Sequence, residues 1–168
     1  MRVVFNSTLL MKEKYKILFV CLGNICRSPA AEGILKDQLQ KAGLAENVEV
    51  DSAGTYGGHA GDLPDSRMRA HAARRGYKLT HRSKQIKYDD FEKFDLILGM
   101  DDSNIRNLQQ LAPDPESLAK IRRTTDFCQK LPYDHIPDPY YSGSDGFELV
   151  LDILEDACSG LIEELKSK

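Results

Sequence analysis

A short segment places a thiol and a guanidinium at a spacing that suits phosphate chemistry. Five residues separate Cys21 from Arg27, in the sequence Cys-Leu-Gly-Asn-Ile-Cys-Arg. A loop of this length can curl so that its backbone N–H groups surround a tetrahedral oxyanion. The planar fork of Arg27 can bind two oxygens of that anion. Cys21 is then placed to act as a nucleophile toward phosphorus.

The same segment favours a charged sulfur at Cys21. Gly23 and Asn24 tolerate the left-handed backbone that a curled loop requires. A helix N-terminus and an arginine both stabilise a thiolate, and Ser28 can donate a hydrogen bond to it. The spacing alone is also compatible with Cys21 as the buried end of a strand. A nucleotide-binding glycine loop is excluded, because neither Gly-Lys-Ser/Thr nor Gly-x-Gly-x-x-Gly occurs.

The elements on either side of this loop are a strand and a helix. Residues 16–21 form a continuous apolar run, which predicts a strand covered on both faces. After the loop, apolar residues recur at helical spacing from Ala30 onward. Ser28 suits the N-cap, Pro29 the first helical position and Gly43 the exit. The loop therefore precedes a helix, whose N-terminus favours anions.

Strands and helices alternate along the rest of the chain. The further elements predicted are strands over residues 48–53, 94–100 and 119–123, and helices over residues 64–75, 102–111 and 145–166. Residues 127–144 are predicted to be largely loop because of their prolines and glycines. The alternation predicts an α/β fold with a parallel sheet and helices on both faces. Ligands bind such sheets at the carboxyl ends of the strands, where the Cys21 loop lies.

Composition indicates one globular domain. The chain has 168 residues, of which 41% are hydrophobic, enough for one substantial core. A net charge of −3 with 29% charged residues argues against a disordered chain or a nucleic-acid binder. No apolar run reaches the length of a membrane span, and a chain of this size does not need disulfides. We expect a cytoplasmic domain over residues 14–168, and disorder is one interpretation of the extension over residues 1–13.

Basic and acidic residues are distributed unevenly. Residues 66–87 contain eight Lys or Arg and no Asp or Glu, whereas the last predicted helix is acidic. Two interpretations remain open: these are solvated faces, or the basic segment steers anionic substrates toward the protein.

The loop and four later motifs resemble one known family. Residues 20–29, Val-Cys-Leu-Gly-Asn-Ile-Cys-Arg-Ser-Pro, are similar to the active-site loop of low-molecular-weight protein tyrosine phosphatases. The later motifs follow in the family's order, with Asp-Ser-Ala-Gly-Thr at 51–55, Pro-Asp-Ser-Arg at 64–67, Met-Asp-Asp-Ser-Asn at 100–104 and Asp-Pro-Tyr-Tyr at 138–141. The resemblance implies a flavodoxin-like four-stranded parallel sheet, no metal or cofactor, and phosphoryl transfer through a cysteinyl phosphate.

The resemblance also implies a role for each site residue. Cys21 is the nucleophile, Arg27 the phosphate clamp, and Asp138 the general acid that then activates water as a base. The other assignments are a phosphate-binding loop of Leu22, Gly23, Asn24, Ile25, Cys26 and Ser28, loop-bracing hydrogen bonds from Asn24, Ser52 and His81, and a pocket wall of Tyr140 and Tyr141. Such a wall admits an aryl phosphate, whereas phosphoserine is too short to reach the sulfur. Without the resemblance, Asp138 would be interpreted as the start of a turn and His81 as a surface histidine.

The second wall of the pocket departs from the family. The family often has an aromatic residue where this chain has Gly58. We expect Tyr56 or His59 to take the place of that aromatic residue in the second wall. Asp101 matches a family carboxylate whose role the sequence does not explain.

The remaining cysteines have simpler interpretations. Cys26 is either a small buried filler or the residue that traps oxidised Cys21 as a reversible disulfide, as the resemblance implies. Cys128 and Cys158 are predicted to be structural. A zinc site is not predicted, because no second closely spaced Cys or His pair completes a tetrahedron.

Three other functions compete with phosphotyrosine hydrolysis. An arsenate reductase on this scaffold needs two relay cysteines near residues 90–100, and none lies between Cys26 and Cys128. For a protein-arginine phosphatase, the resemblance implies threonine at the position of Ile25. A simple phosphate-binding module needs neither a thiolate nor a proton donor. The expected substrate is a phosphotyrosine protein or a small aryl phosphate, acted on by a monomer or weak dimer with no nucleic-acid or membrane partner.

Overall fold

The computed structural model describes residues 14–167 of the chain. The predicted extension over residues 1–13 lies outside the described residues.

Four parallel strands form the centre of the molecule, in the order β2-β1-β3-β4. The strands are β1 (Tyr15–Cys21), β2 (Val48–Gly54), β3 (Leu96–Gly99) and β4 (Ile121–Arg123). β1 pairs with β2 on one side and with β3 on the other, so the chain connections from β1 to β2 and from β2 to β3 run in opposite directions across the sheet. A crevice opens at such a reversal of strand order, and Cys21 ends the strand that borders it.

Six α-helices surround this sheet in the described part of the chain. They are α1 (Arg27–Lys41), α2 (Ser66–Arg74), α3 (Tyr88–Lys93), α4 (Asp102–Leu111), α5 (Pro115–Ala119) and α6 (Ser144–Lys166). Within residues 14–167, none of the helices is both long and apolar enough to cross a bilayer.

The parallel sheet and its surrounding helices confirm the predicted flavodoxin-like α/β fold.

Side chains of β1 alternate between two cores, which explains its unbroken apolar run. Ile17 and Phe19 pack in the core that contains the apolar faces of α1 and α6. Leu18 and Val20 point to the other side and pack with Phe91 of α3 and with residues of α4. Both faces of the strand are therefore covered, and the strand positions Cys21 rigidly.

The sequence missed three short elements. Helices α3 and α5 and the 3-10 helix Thr124–Phe127 occupy regions without a predicted helix. Helix α3 buries only Phe91 and α5 only Ser117, so neither produces the repeated apolar spacing that identifies a helix. The third strand is also shorter than the predicted residues 94–100, because Phe94 still caps α3.

Two predictions for the start of α1 were wrong, the N-cap at Ser28 and the first helical position at Pro29. Helix α1 begins at Arg27, its N-cap position is Cys26, and no side chain caps it. Ser28 lies inside the first turn with its hydroxyl next to the sulfur of Cys21. The helix exit at Gly43 is confirmed, with a φ of 74°, and Gly76 follows α2 in the same left-handed conformation, with a φ of 90°.

Part of the uneven charge distribution is neutralised where α2 meets α6. The guanidinium of Arg75 lies 2.7 Å from Glu148, 2.9 Å from Asp152 and 2.9 Å from Glu155. These contacts raise the pKa of Arg75 against the opposing effect of burial. Arg75 of the basic segment therefore links α2 to α6. Neither earlier interpretation, a solvated face or a patch that steers anionic substrates, predicted this role.

Close packing of α6 gives a first test of the fold. A Cβ atom on Gly160 would lie 1.8 Å from the carbonyl oxygen of Phe127. Gly160→Ala should therefore lower the free energy of unfolding by about 1–3 kcal/mol, because the backbone must shift to admit the methyl group. Urea unfolding followed by circular dichroism measures the change. The exposed neighbour Ser159→Ala is the control, and equal midpoints for both variants would contradict the packing.

Candidate active site

The segment between β1 and α1 curls back on itself. Asn24 has a φ of 58°, in the left-handed region. Gly23 was expected to share this conformation but does not. The absence of a side chain at Gly23 instead leaves room for His59, because a Cβ atom on Gly23 would lie 3.1 Å from the ring of His59. Gly54 at the end of β2 also permits a close approach, because its Cβ would lie 2.6 Å from the Leu22 carbonyl oxygen.

The sulfur of Cys21 receives two polar contacts at the base of the loop. The backbone N–H of Asn24 donates to Sγ over 3.3 Å. The hydroxyl oxygen of Ser28 lies 3.0 Å from the same sulfur. Ser28 Oγ also accepts a hydrogen bond of 2.8 Å from the side-chain amide of Asn24. The one hydroxyl hydrogen of Ser28 can go either to the sulfur or to the carbonyl of Ala53, 3.4 Å away, and the contact with the sulfur is the shorter of the two.

The side chain of Asn24 connects the loop to two other segments. Its amide nitrogen donates to Ser52 Oγ over 3.0 Å as well as to Ser28. Its oxygen lies 2.9 Å from His81 Nε2 and accepts from the backbone N–H of Lys84 over 3.0 Å. All four polar positions of this buried amide are used. The hydrogen bonds expected from Asn24, Ser52 and His81 are thus present.

Two carboxylates that contact this network were not predicted from the sequence. Glu32 is buried on α1, accepts a hydrogen bond of 2.7 Å from Ser52 Oγ and lies 3.1 Å from His81 Nδ1. Asp51 Oδ1 lies 3.5 Å from the same His81 nitrogen. Burial lowers the pKa of His81 against the opposing effect of both carboxylates. Glu32 follows Ser28 by four residues, so helical spacing could have indicated it.

Glu32, Asp51 and His81 also form the kind of cluster that can hold a metal ion. One ligand atom from each lies within 4.8 Å of the others. Each carboxylate already has a cationic partner, Lys36 for Glu32 and Lys84 for Asp51. These lysines neutralise the cluster and compete with a cation, so we assign it a bracing role.

The guanidinium of Arg27 is buried and held from two directions. It donates to Asp101 over 2.6 Å and to the carbonyl of Ile136 over 3.0 Å. Burial alone would lower the pKa of Arg27, but the charges of Cys21 and Asp101 raise it above its ordinary value. The pKa of Asp101 is lowered, because its bond to Arg27 outweighs burial. The pair is therefore charged at neutral pH and is lost only as pH falls through that lowered value.

Asp138 lies at the mouth of the same site. Its carboxylate is 3.7 Å from the second terminal nitrogen of Arg27 and 45% exposed. Its other oxygen accepts the backbone N–H of Tyr140 over 3.1 Å. Arg67 donates to the carbonyl of Tyr140 over 2.9 Å, which ties this loop to the start of α2.

A cavity of about 250 Å³ opens above the sulfur. Its floor is the Cys21 loop, and aromatic residues line its sides. Both alternatives for the second wall, Tyr56 and His59, line it. The lining residues are Cys21, Leu22, Gly23, Ile25, Cys26, Arg27, Tyr56, His59, Asp138, Tyr140 and Tyr141.

The family follows from a match along almost the whole chain. Residues 16–168 match the family model described as low molecular weight phosphotyrosine protein phosphatase. The chain belongs to this family. The predicted family is thereby confirmed, and the protein is an enzyme of the protein-tyrosine-phosphatase class.

Relatives and solved structures of this phosphatase family agree with the match. A Synechocystis protein provisionally named as a low molecular weight protein-tyrosine-phosphatase is 48% identical over 150 residues, which are 89% of this chain and 96% of the relative. A protein tyrosine phosphatase from Entamoeba histolytica, crystallised with Hepes in its active site, is 45% identical with a TM-score of 0.89, covering 92% of this chain and 98% of its own. A Drosophila arginine phosphatase is 34% identical with a TM-score of 0.85, covering 91% and 99%.

All four cysteines of this phosphatase are free thiols. Burial, followed by the nearby charge of Asp65, raises the pKa of Cys26 well above its ordinary value. Burial likewise raises the pKa of Cys158 on α6, and raises the pKa of Cys128 to about 11. Both pack in or against the core, as expected of structural residues. The redox role of Cys26 stays a prediction.

Asn24 offers a test that separates its backbone from its side chain. Asn24→Gly and Asn24→Ala both remove the hydrogen bonds to Ser28 and Ser52, each contributing about 1 kcal/mol to the free energy of unfolding. The free energy of unfolding of Asn24→Ala should be about 1 kcal/mol lower than that of Asn24→Gly, because alanine is strained at positive φ. Urea unfolding of the two variants measures the difference. Equal stability of both variants would contradict the left-handed loop.

Proposed function

We propose that this protein hydrolyses phosphotyrosine through a cysteinyl-phosphate intermediate. The observation that carries the proposal is that Cys21, Arg27 and Asp138 line one cavity. They supply a nucleophile, a positive charge and a proton donor to the same small space.

In the first step, the Cys21 thiolate attacks phosphorus in line with the phenolic oxygen of the substrate. The S–P bond forms while the P–O bond to the ring breaks. Arg27 and the loop N–H groups stabilise the charge on the phosphoryl oxygens. Asp138, protonated before the step, transfers its proton to the leaving phenolate. The contacts of Asn24 and Ser28 with the sulfur favour the anionic nucleophile that this step needs.

In the second step, water attacks the phosphocysteine. Asp138, now a carboxylate, accepts a proton from that water. The S–P bond breaks, Cys21 leaves as a thiolate, and inorganic phosphate is released. Because Arg27 and backbone amides supply the positive charge, the proposed sequence needs no metal ion.

The shape and lining of the cavity favour an aryl ester. Tyr140, Tyr141 and Ile25 offer apolar surface beside the sulfur, so a flat ring can be held while its phosphoryl group reaches Cys21. We propose a phosphotyrosine protein or a small aryl phosphate as substrate. A reducing compartment such as the cytoplasm suits the mechanism, because an oxidised Cys21 cannot attack phosphorus.

Fold alone does not choose between phosphotyrosine and phosphoarginine, since an arginine phosphatase shares the architecture. The presence of Ile25 and Tyr140 at the cavity favours the tyrosine ester. Rates on phosphotyrosine, phosphoserine and phosphoarginine peptides decide the matter. We expect phosphotyrosine to have the highest kcat/KM, and faster phosphoarginine turnover would overturn the substrate class.

Loss of the nucleophile tests the covalent mechanism. Cys21→Ser should lower kcat for p-nitrophenyl phosphate by more than about 10³-fold, because a serine hydroxyl at this site is not an anion. Binding of inorganic phosphate, measured by calorimetry, should persist since Arg27 remains. Cys128→Ser, which removes a half-buried thiol away from the cavity, is the control. Substantial turnover by Cys21→Ser would exclude the cysteinyl phosphate.

Substrates with different leaving groups test the general acid. Asp138→Asn should slow phenyl phosphate, a poor leaving group, by about 10²–10⁴-fold and p-nitrophenyl phosphate much less. The exposed Asp134→Asn on the same loop is the control and should affect neither substrate. Equal slowing of both substrates by Asp138→Asn would contradict the assignment.

A further inference from the structure

The ring of Tyr56 occupies the space that a side chain at position 58 would take. A Cβ atom on Gly58 would lie 2.2 Å from both Cζ and Oη of Tyr56. These are the far end of the tyrosine ring, so the ring lies directly against the glycine backbone. A larger residue at position 58 therefore requires the ring, the far end of a flexible side chain, to leave this position. The glycine and the tyrosine therefore form a matched pair.

The backbone beneath Tyr56 is joined to the phosphate-binding loop. The N–H of Thr55 donates to the carbonyl of Cys21 over 3.0 Å, and the N–H of Tyr56 donates to the carbonyl of Leu22 over 2.9 Å. These bonds continue the register of β2 against β1. The backbone of Tyr56 is thus held in a fixed position relative to Cys21.

A second ring supports the first. Tyr56 and His59 meet edge to face, with centroids 6.2 Å apart and planes at 84°. His59 in turn lies against Gly23 of the phosphate-binding loop. Tyr56 keeps 55% of its surface exposed and lines the cavity, so one part of its ring is free to contact a ligand.

We infer that Tyr56 is a specificity-determining residue, which supplies the second aromatic wall of the cavity, and that Gly58 is the residue that permits this. The inference rests on the proposed function and names the substrate group: a planar aryl ester held between Tyr56 and the Tyr140 loop. An ester without a ring loses the contact with Tyr56. Because Tyr56 follows β2 directly, this wall stands on backbone that is hydrogen-bonded to the phosphate-binding loop.

The test compares an aryl substrate with one that has a good leaving group and no ring. Phenyl phosphate and acetyl phosphate are the two probes, and the readout is the ratio of their kcat/KM values. Tyr56→Ala should lower the ratio of phenyl to acetyl phosphate by about 2- to 10-fold, the factor that one aromatic pair contributes. Gly58→Ala should lower it similarly by displacing the ring, and Tyr56→Phe should keep the aryl preference. Tyr88→Ala, at an exposed tyrosine on α3, is the control.

Two outcomes would overturn the inference. One is an unchanged ratio in Tyr56→Ala, including a uniform loss on both substrates. The other is an unchanged ratio in Gly58→Ala, which would show that the ring does not depend on the glycine. Thermal unfolding confirms that each variant is folded. Failure of the proposed function looks different, because the wild-type chain would then turn over neither phenyl phosphate nor acetyl phosphate, or Cys21→Ser would remain active.

Discussion

A buried cation at the positive end of a helix is the constraint on which this site depends. Arg27 is the first residue of α1, where the helix dipole disfavours a positive charge, and it is only 2% exposed. Anionic neighbours must therefore compensate it, and the sulfur of Cys21 and the carboxylate of Asp101 both act in that direction. A phosphoryl group adds negative charge at the same place. In the proposed function, the electrostatics that hold the arginine in the fold are thus also those that bind the substrate.

The second requirement is a loop that keeps its shape when the substrate is absent. A curled backbone with a residue at positive φ is strained, and its buried polar groups need partners. Asn24 meets both needs, because it adopts the left-handed conformation and uses its amide to join Ser28, Ser52 and His81. Glu32 closes the network from α1. Binding a phosphoryl group then requires little reorganisation, which is the advantage of a preorganised site.

In the proposed function, selectivity arises in a different part of the structure from catalysis. The phosphate-binding loop is fixed by β1 and α1, whereas the aromatic residues come from the segments after β2 and before α6. Tyrosine and arginine phosphatases share this fold, so the sheet does not encode the leaving group. The aromatic wall that we infer from Tyr56 and Gly58 lies in the loop after β2, outside the segment that carries Cys21.

The sequence by itself determined the strand, loop and helix around Cys21, because apolar burial and helical periodicity are properties of one segment. It also determined the parallel fold and, through its motifs, the family. Tertiary structure alone decided that Asp101, 74 residues away, holds Arg27, and that Glu32 supports Ser52. It also replaced the expected N-cap role of Ser28 with a contact to Cys21. A hydrogen bond between elements depends on how they pack, and periodicity within one element carries no record of that.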